Sequence, residues 1–539
     1  MKRKTILIIL KYLIPILIYI SSVFWSDSKT YMAFGVLEIL LVATLTELSL
    51  RFFKKGRIIT YILNSLFMLL INAQAVCLFF GRSFLTIVML SNIESIEDLS
   101  GNAFEYIIGV IIVLILSFLP ITTLKKFLKL KYQRVLNTIL ILELILAMAF
   151  GRNSSPLWGY INVAASAKAV SDLARNSSGN KESADKFYKQ GISDSITKPD
   201  TLPDRPNIIL IFVEGLSQSI IDDERDIMPN VRQYEQSGLF FDNYFNHTFA
   251  TYRGLEGTLF SGYQLSNYDT NKLVSLQGIL KRKGYHTEFI NVEPNNRRFS
   301  SYLESFGFDS VINHESKNAS FLEALLDKEA YERLFDEAMT LSGNNTPFMI
   351  SIYTFGTHIT FDSPDEKFGD GSNPILNKFY NCDYQFNEFM KKFNDSKLAD
   401  NTMVVFTADH AAFVEGEYPE AFPDNNRIAA ATEQIPFFIY YKGIQPQVID
   451  AGGRNSLDLA PTVLDYLDIS EPNYFLGDSL FSEKENSFKI DTVFWDSALF
   501  LNTDNGNITN LNDNDRSIIQ EQLNEYFNAM KYDSGMVFE

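Results

Sequence analysis

Five long apolar runs within the first 150 residues constrain this chain more than any other feature. Thr5–Trp25, Tyr31–Phe53, Ile58–Phe80, Phe104–Thr122 and Val135–Phe150 are each dominated by Leu, Ile, Val and Phe. A helix needs about 20 such residues, within a range of about 17–25, to cross the hydrocarbon core of a bilayer. Four of the runs meet that length and the last reaches it with its polar flanks. Five spanning helices are therefore expected over residues 1–151. A shorter run, Ser83–Leu90, reads as an interfacial or re-entrant piece.

Charge orients the runs. Lys2, Arg3 and Lys4 precede the first, and Arg51, Lys54, Lys55 and Arg57 separate the second from the third. Lys125, Lys126, Lys129, Lys131 and Arg134 separate the fourth from the fifth, whereas the alternate loops mix both signs. The positive-inside rule places these basic groups, and the N-terminus, in the cytoplasm. An odd number of crossings then puts everything that follows on the extracytoplasmic side of a multi-pass cell-membrane protein. The chain has a formal net charge of −18, and because its basic residues favour the first 150, the exported part is strongly acidic. Such a surface is a poor nucleic-acid partner. Cys77 lies in the third run and Cys382 in the exported part, so no disulfide joins them on this reading.

Residues 152–205 are rich in Ser, Asn, Gly, Asp and Lys and read as a linker, with short helices at Val163–Arg175 and Lys181–Gln190. From Pro206 the pattern changes. Asn207–Val213, Thr287–Asn291, Pro347–Tyr353, Thr402–Thr407 and Pro436–Tyr441 are short and almost continuously apolar. Runs of this kind suit strands buried on both faces of a parallel sheet. Helical patterns separate them at Leu273–Lys283, Phe321–Leu341 and Leu376–Phe393, and another follows at Ser456–Leu467. The alternation predicts an α/β domain over residues 206–539, with a mostly parallel sheet and helices on both faces.

Polar residues of one chemical kind follow the strands. Glu214, His358 and the pair Asp409-His410 each stand just past the C-terminal end of an expected strand, the edge where open α/β sheets bind ligands. Two carboxylates and an imidazole make a mixed oxygen and nitrogen site for a divalent ion. Mn²⁺, Mg²⁺ and Zn²⁺ all fit, and no cysteine ligand argues for Zn²⁺ in particular. Thr251, in the turn-like stretch Phe241–Gly262, is the candidate fourth ligand and nucleophile, since a threonine hydroxyl needs activation and a metal can supply it. Thr248 and Thr258 are competing hydroxyls on spacing alone. Arg253, Arg297, Arg298 and His358 are the candidate partners for phosphate charge. Glu38 and Glu143 fall inside apolar runs, which marks them as functional or helix-pairing residues.

In these motifs the sequence resembles the lipoteichoic acid synthase family, in the sulfatase-like branch of the alkaline phosphatase superfamily. The resemblance rests on Pro206–Glu214, Thr251-Tyr-Arg-Gly-Leu-Glu256, Ser305–Asp309, Gly356-Thr-His358, Thr407–His410, Ile435–Tyr440 and Leu457–Val463. It implies Glu214, Thr251, Asp409 and His410 as ligands of a divalent metal, usually Mn²⁺, with Thr251 as nucleophile and His358 near the reacting phosphate. It also implies transfer of a phosphoglycerol group from phosphatidylglycerol to a surface glycan or glycolipid. Relatives move phosphoethanolamine. Sulfatases that act on sulfate esters carry a modified Cys or Ser where this chain has Thr251.

Overall fold

The computed structural model describes the chain from Lys2 to Asp533, apart from residues 23–28, 82–83, 86–89, 91–102, 122–128, 151–153, 177–178, 315–323, 359–361, 415–417, 424, 426–430, 484–489 and 497–498. It divides into two compact units, Met1–Ala169 and Val170–Glu539.

The first unit is helical. Lys2–Ser21, Lys29–Phe52, Arg57–Gly81, Ala103–Phe118 and Leu130–Phe150 form helices where the five apolar runs stand. Among the described residues, two helices, Lys29–Phe52 and Arg57–Phe79, are long and apolar enough to cross a membrane, where five spans were expected. Ile6–Ser21 and Ile107–Phe118 are apolar but shorter. Leu130–Phe150 opens on Lys131, Gln133, Arg134 and Asn137, which dilute its hydropathy. The Ser83–Leu90 piece lies largely outside the described residues.

This unit exposes large apolar side chains and buries polar ones beside an apolar cluster that includes Ile39, Met68, Ile71 and Leu78, a pattern unlike that of a water-soluble bundle. Ile58, Ile62, Ile111, Ile115 and Leu142 are exposed, while Lys11, Glu38, Asn64, Asn72 and Gln74 are buried. The buried groups satisfy helix ends and one another. Lys11 Nζ donates to the carbonyls of Ser117 and Leu119. Glu38 accepts from the Ser155 hydroxyl and, at 3.1 Å, from the Leu157 amide, capping the helix Pro156–Asn176. Glu38 thus links helices, one of the two roles its position suggested.

The second unit is an α/β structure. In chain order its strands are β1 (Asn207–Val213), β2 (Leu239–Asp242), β3 (His286–Asn291), β4 (Ser310–Asn313), β5 (Phe348–Tyr353), β6 (Thr402–Ala408), β7 (Phe437–Tyr440) and β8 (Gln447–Asp450). They form one sheet in the order β4-β3-β5-β1-β6-β7-β2-β8, in which only β7 runs against its neighbours. β1 is buried along its whole length. Each of its Ile, Leu and Phe side chains contributes roughly 1.5–3 kcal/mol relative to exposure, which is why this strand reads so plainly in sequence.

Register then levels the strand ends. Val213 pairs with Ala408 and Phe212 with Tyr353, so Glu214 and Asp409 emerge at one height on the same sheet edge, with Thr354 one residue short of them. Helices Asp327–Ser342 and Pro374–Asp395 pack on each other, and Thr251–Phe260 packs on Leu459–Tyr466. A second sheet of Val493–Asp496, Leu499–Asn502 and Thr509–Asn510 precedes the helix Asp513–Ala529.

The stretch expected as a linker is fastened to this unit. Ser183 donates to Glu525 at 2.9 Å, Lys189 pairs with Asp478 at 2.7 Å, and the Ser195 amide donates to Asp465 at 3.1 Å. These contacts join residues more than 250 positions apart, so no local pattern announces them.

Candidate active site

Two neighbouring strand ends, those of β1 and β6, supply the polar centre. Glu214, Asp409 and His410 are all buried, and one donor atom from each lies within 4.8 Å of the others. His410 Nε2 is 3.4 Å from Glu214 Oε1 and 3.6 Å from Asp409 Oδ2. None of these three atoms has a hydrogen-bond partner. Buried polar atoms are rarely left so, and three of them facing one point describe a cation's ligand set.

The neighbouring atoms fix this arrangement. His410 Nδ1 lies 2.8 Å from the Ala411 carbonyl. A carbonyl only accepts, so Nδ1 carries a proton and Nε2 faces the centre, where a cation would displace the second proton that Asp409 and Glu214 draw onto the ring. Asp409 spends Oδ1 on the amides of Gly215 (2.9 Å) and His410 (2.7 Å), which turns Oδ2 inward. Glu214 is held by its amide donating to Thr354 Oγ1 at 3.3 Å and its carbonyl accepting from Thr357. Burial alone disfavours charge on the His410 ring, yet Asp409 and Glu214 raise its pKa to about 9. The pocket is built for positive charge. Its two carboxylates and one imidazole suit Mn²⁺, Mg²⁺ or Zn²⁺.

Thr251 faces this centre. Its hydroxyl donates to Glu214 Oε2 at 2.8 Å, from the first residue of the helix Thr251–Phe260. Among the competing hydroxyls, Thr248 and Thr258 are buried and Thr251 is half-exposed. The preceding Ala250 has φ 79° and ψ 143°, a conformation that costs a non-glycine residue of order 1–3 kcal/mol. The strain sits beside the reactive candidate, where such cost is commonly tolerated.

Gly254 sets how closely this helix approaches β6. A Cβ there would fall 2.1 Å from the Asp409 carbonyl oxygen and 2.8 Å from its carbon. Only hydrogen fits. Gly254→Ala is therefore expected to push the helix off the strand end, destabilising the fold by about 1–3 kcal/mol and reducing turnover further than stability loss explains. Thermal melts alongside initial rates check this.

His358 is half-buried, its ring stacked on Phe355 at 4.9 Å and 12°. Lys378 donates to its carbonyl at 3.2 Å, and the Gly356 amide donates to buried Asp327 at 3.0 Å. Thr354, Thr357, Asp327 and Lys378 were not singled out in sequence. Both threonines precede His358 in Thr354–His358, and Thr357 stands inside the quoted Gly356-Thr-His358 motif, which is the one local signal; Asp327 and Lys378 gave none.

The three arginines fare differently. Arg253 was expected to bind substrate, but it is 2% exposed, pairs with Asp496 and donates to Asn267 at 3.0 Å. Residues two apart on a helix point roughly opposite ways, so a helix that aims Thr251 at Glu214 aims Arg253 away from it. Its role is to tie the helix to the second sheet. Arg297 and Arg298 are exposed at the start of the helix Arg297–Glu304, just beyond β3. The Arg298 guanidinium lies 3.8 Å over the Tyr268 ring, and Tyr268 packs against Tyr252 at 4.8 Å. Arg298 is thus connected to the neighbour of Thr251 through one aromatic ring.

Residues 206–469 match the Sulfatase family model. The matched residues take in strands β1 to β8 and the Glu214, Thr251, Asp409 and His410 centre. The particular likeness is to the lipoteichoic acid synthase-like protein YvgJ of Bacillus subtilis, 24% identical over 322 residues. That alignment covers 53% of this chain and 51% of the relative, so the match spans about half the length of that protein. An alkaline phosphatase superfamily protein from Vibrio parahaemolyticus superposes with a TM-score of 0.53 at 20% identity, covering 69% of this chain and 97% of that one. The integral membrane lipooligosaccharide phosphoethanolamine transferase A of Neisseria meningitidis also gives a TM-score of 0.53, at 14% identity, over 90% of this chain and 97% of that one. These two structures establish the fold.

Proposed function

We propose that this chain is a membrane-anchored, metal-dependent phosphotransferase that moves a phosphoglycerol group from phosphatidylglycerol to a surface glycan or glycolipid. In this reading the five apolar helices anchor residues 1–151, the N-terminus is cytoplasmic, and residues 206–539 work outside. The observation that carries it is the Thr251 hydroxyl, 2.8 Å from a carboxylate whose other oxygen belongs to a buried, unsatisfied donor set.

Glu214, Asp409, His410 and Thr251 would hold the ion, Mn²⁺ foremost with Mg²⁺ or Zn²⁺ as alternatives. A divalent ion bound there lowers the pKa of the hydroxyl and offsets the charge that builds on phosphate oxygens. Thr251 Oγ forms a bond to phosphorus while the bond to the diacylglycerol oxygen breaks. The threonine proton is lost toward Glu214 and the departing oxygen takes a proton from water, since burial holds the His358 pKa down to about 4 and keeps its ring neutral as a base. In the second step the acceptor hydroxyl gives its proton to neutral His358 and bonds to phosphorus as the bond to Thr251 breaks; Glu214 returns its proton to Thr251, and the His358 proton passes to the hydroxide left by the first step. Arg297 and Arg298 steer the phosphate and its polar arm.

The same centre accommodates phosphatidylethanolamine, and the neisserial structure of like fold is named as a phosphoethanolamine transferase. Exposed Arg297 and Arg298 favour a neutral glycerol over an ammonium head group, since like charges repel. Purified protein with Mn²⁺ is expected to release diacylglycerol from phosphatidylglycerol at least tenfold faster than from phosphatidylethanolamine. The reverse preference would reassign the donor, and release from neither would reject the transferase reading.

A further inference from the structure

Thr251 and the metal donors have two unlike flanks. On one, Tyr252 packs against Tyr268 and Phe299, with Arg298 over Tyr268. On the other, Phe249 lies 4.9 Å from the His410 ring and 4.9 Å from Phe413, and Phe413 is itself 5.1 Å from His410. Both phenylalanines are half-exposed. Phe413 also lines a small cavity with Ile375, Phe379 and Tyr418, and Lys378 stands in its wall.

Sheet order keeps the flanks apart. Arg298 follows β3 and Phe413 follows β6, with β5 and β1 between them. At about 4.8 Å per strand that is roughly 14 Å. A phosphate centred between them meets exposed guanidinium groups on one side and two half-exposed phenylalanine rings on the other, with Lys378 buried behind them. Metal coordination uses only His410 Nε2 and two carboxylates, so it gives no reason to leave two large apolar rings open to solvent at the same centre. A phosphodiester with one polar and one hydrocarbon arm matches both flanks at once.

We infer that Phe249 and Phe413 form the subsite for the acylglycerol arm of the donor, the arm that leaves when Thr251 attacks. This rests on the phosphodiester-transfer reading but not on the identity of the head group. The rings cover the glycerol ester and the first acyl methylenes. Phe249 and Phe413 are thereby specificity-determining residues that select a lipid over a water-soluble diester.

The test compares phosphatidylglycerol with its deacylated form, glycerophosphoglycerol, in the same detergent micelles with Mn²⁺. Phosphatidylethanolamine and glycerophosphoethanolamine form a parallel pair. Phe249→Ala and Phe413→Ala are each expected to lower kcat/KM for the acylated member at least tenfold more than for the deacylated one. Phe413→Leu, which keeps an apolar surface, is expected to recover most of that preference. Equal losses on both members of a pair would show that the rings merely shape the metal centre, and unchanged preference would show that they do not touch the lipid; either result overturns the inference. A wrong head group appears instead as activity confined to the ethanolamine pair, in which the same comparison applies. A wild-type protein inactive on all four diesters would overturn the transferase reading and this inference together.

Discussion

Thr251→Ala is expected to lower diacylglycerol release on the order of 10,000-fold or more, the scale seen when a covalent nucleophile is deleted, while leaving fold and metal content intact. The physical case is local. Thr251 lies at the first position of its helix, is half-exposed, and makes one side-chain hydrogen bond, to Glu214 Oε2. Alanine is a good helix former and removes no buried packing, so the melting temperature should move little. Glu214, Asp409 and His410 keep all three inward-facing atoms, so a bound ion loses at most one ligand. Thr251→Ser retains the oxygen and should keep substantial activity. Rates, thermal melts and metal analysis on the three proteins separate a lost nucleophile from a damaged site.

Asp409→Asn is expected to weaken Mn²⁺ binding at least about 100-fold and to abolish turnover at micromolar metal. Outer-shell losses at metal sites already cost about 10- to 100-fold, and this change removes a direct anionic donor. Asparagine keeps the Oδ1 that accepts from the Gly215 and His410 amides, so the strand end stays in place. Without metal the variant should be as stable as the wild type or more so, because one of two adjacent buried carboxylates is gone. With metal the order reverses: Mn²⁺ at about 100 times its dissociation constant stabilises the wild type by about 2.7 kcal/mol and the variant hardly at all. Calorimetric titration and melts with and without chelator read both effects.

Much of the α/β unit was legible because burial on both faces writes continuous apolar runs. β1, β3, β5, β6 and β7 fall where Asn207–Val213, Thr287–Asn291, Pro347–Tyr353, Thr402–Thr407 and Pro436–Tyr441 were expected, within a residue or two. β2, β4 and β8 were missed. Each has four residues; β2 alternates, and β4 and β8 are half-exposed or exposed strands with no apolar run to announce them. The antiparallel sense of β7 was equally hidden, since a run buried on both faces carries no direction. Spans were legible as apolar helices rather than as crossings: Lys131, Gln133 and Arg134 belong to the helix Leu130–Phe150, not to a flanking loop.

At the site, the residues that follow strands were readable and those that depend on tertiary partners were not. Glu214, Asp409 and His410 converge because β1 and β6 are neighbours in register. Arg253 looked like a phosphate ligand because it stands two residues from Thr251, but its partner Asp496 lies 243 positions away. The reason for Gly254 shows only when Asp409 is placed against it. Phe249 and Phe413 are ordinary aromatic residues in sequence and become informative only as neighbours of the His410 ring.

The central claim is that Thr251 carries the transferred group. Protein incubated with phosphatidylglycerol and Mn²⁺, without acceptor, can be acid-quenched, digested and weighed by mass spectrometry. The account predicts one modified peptide, bearing phosphoglycerol on Thr251 and absent from Thr251→Ala. Diacylglycerol release with no adduct under rapid quench, or an adduct on Thr248 or Thr258 instead, would contradict it.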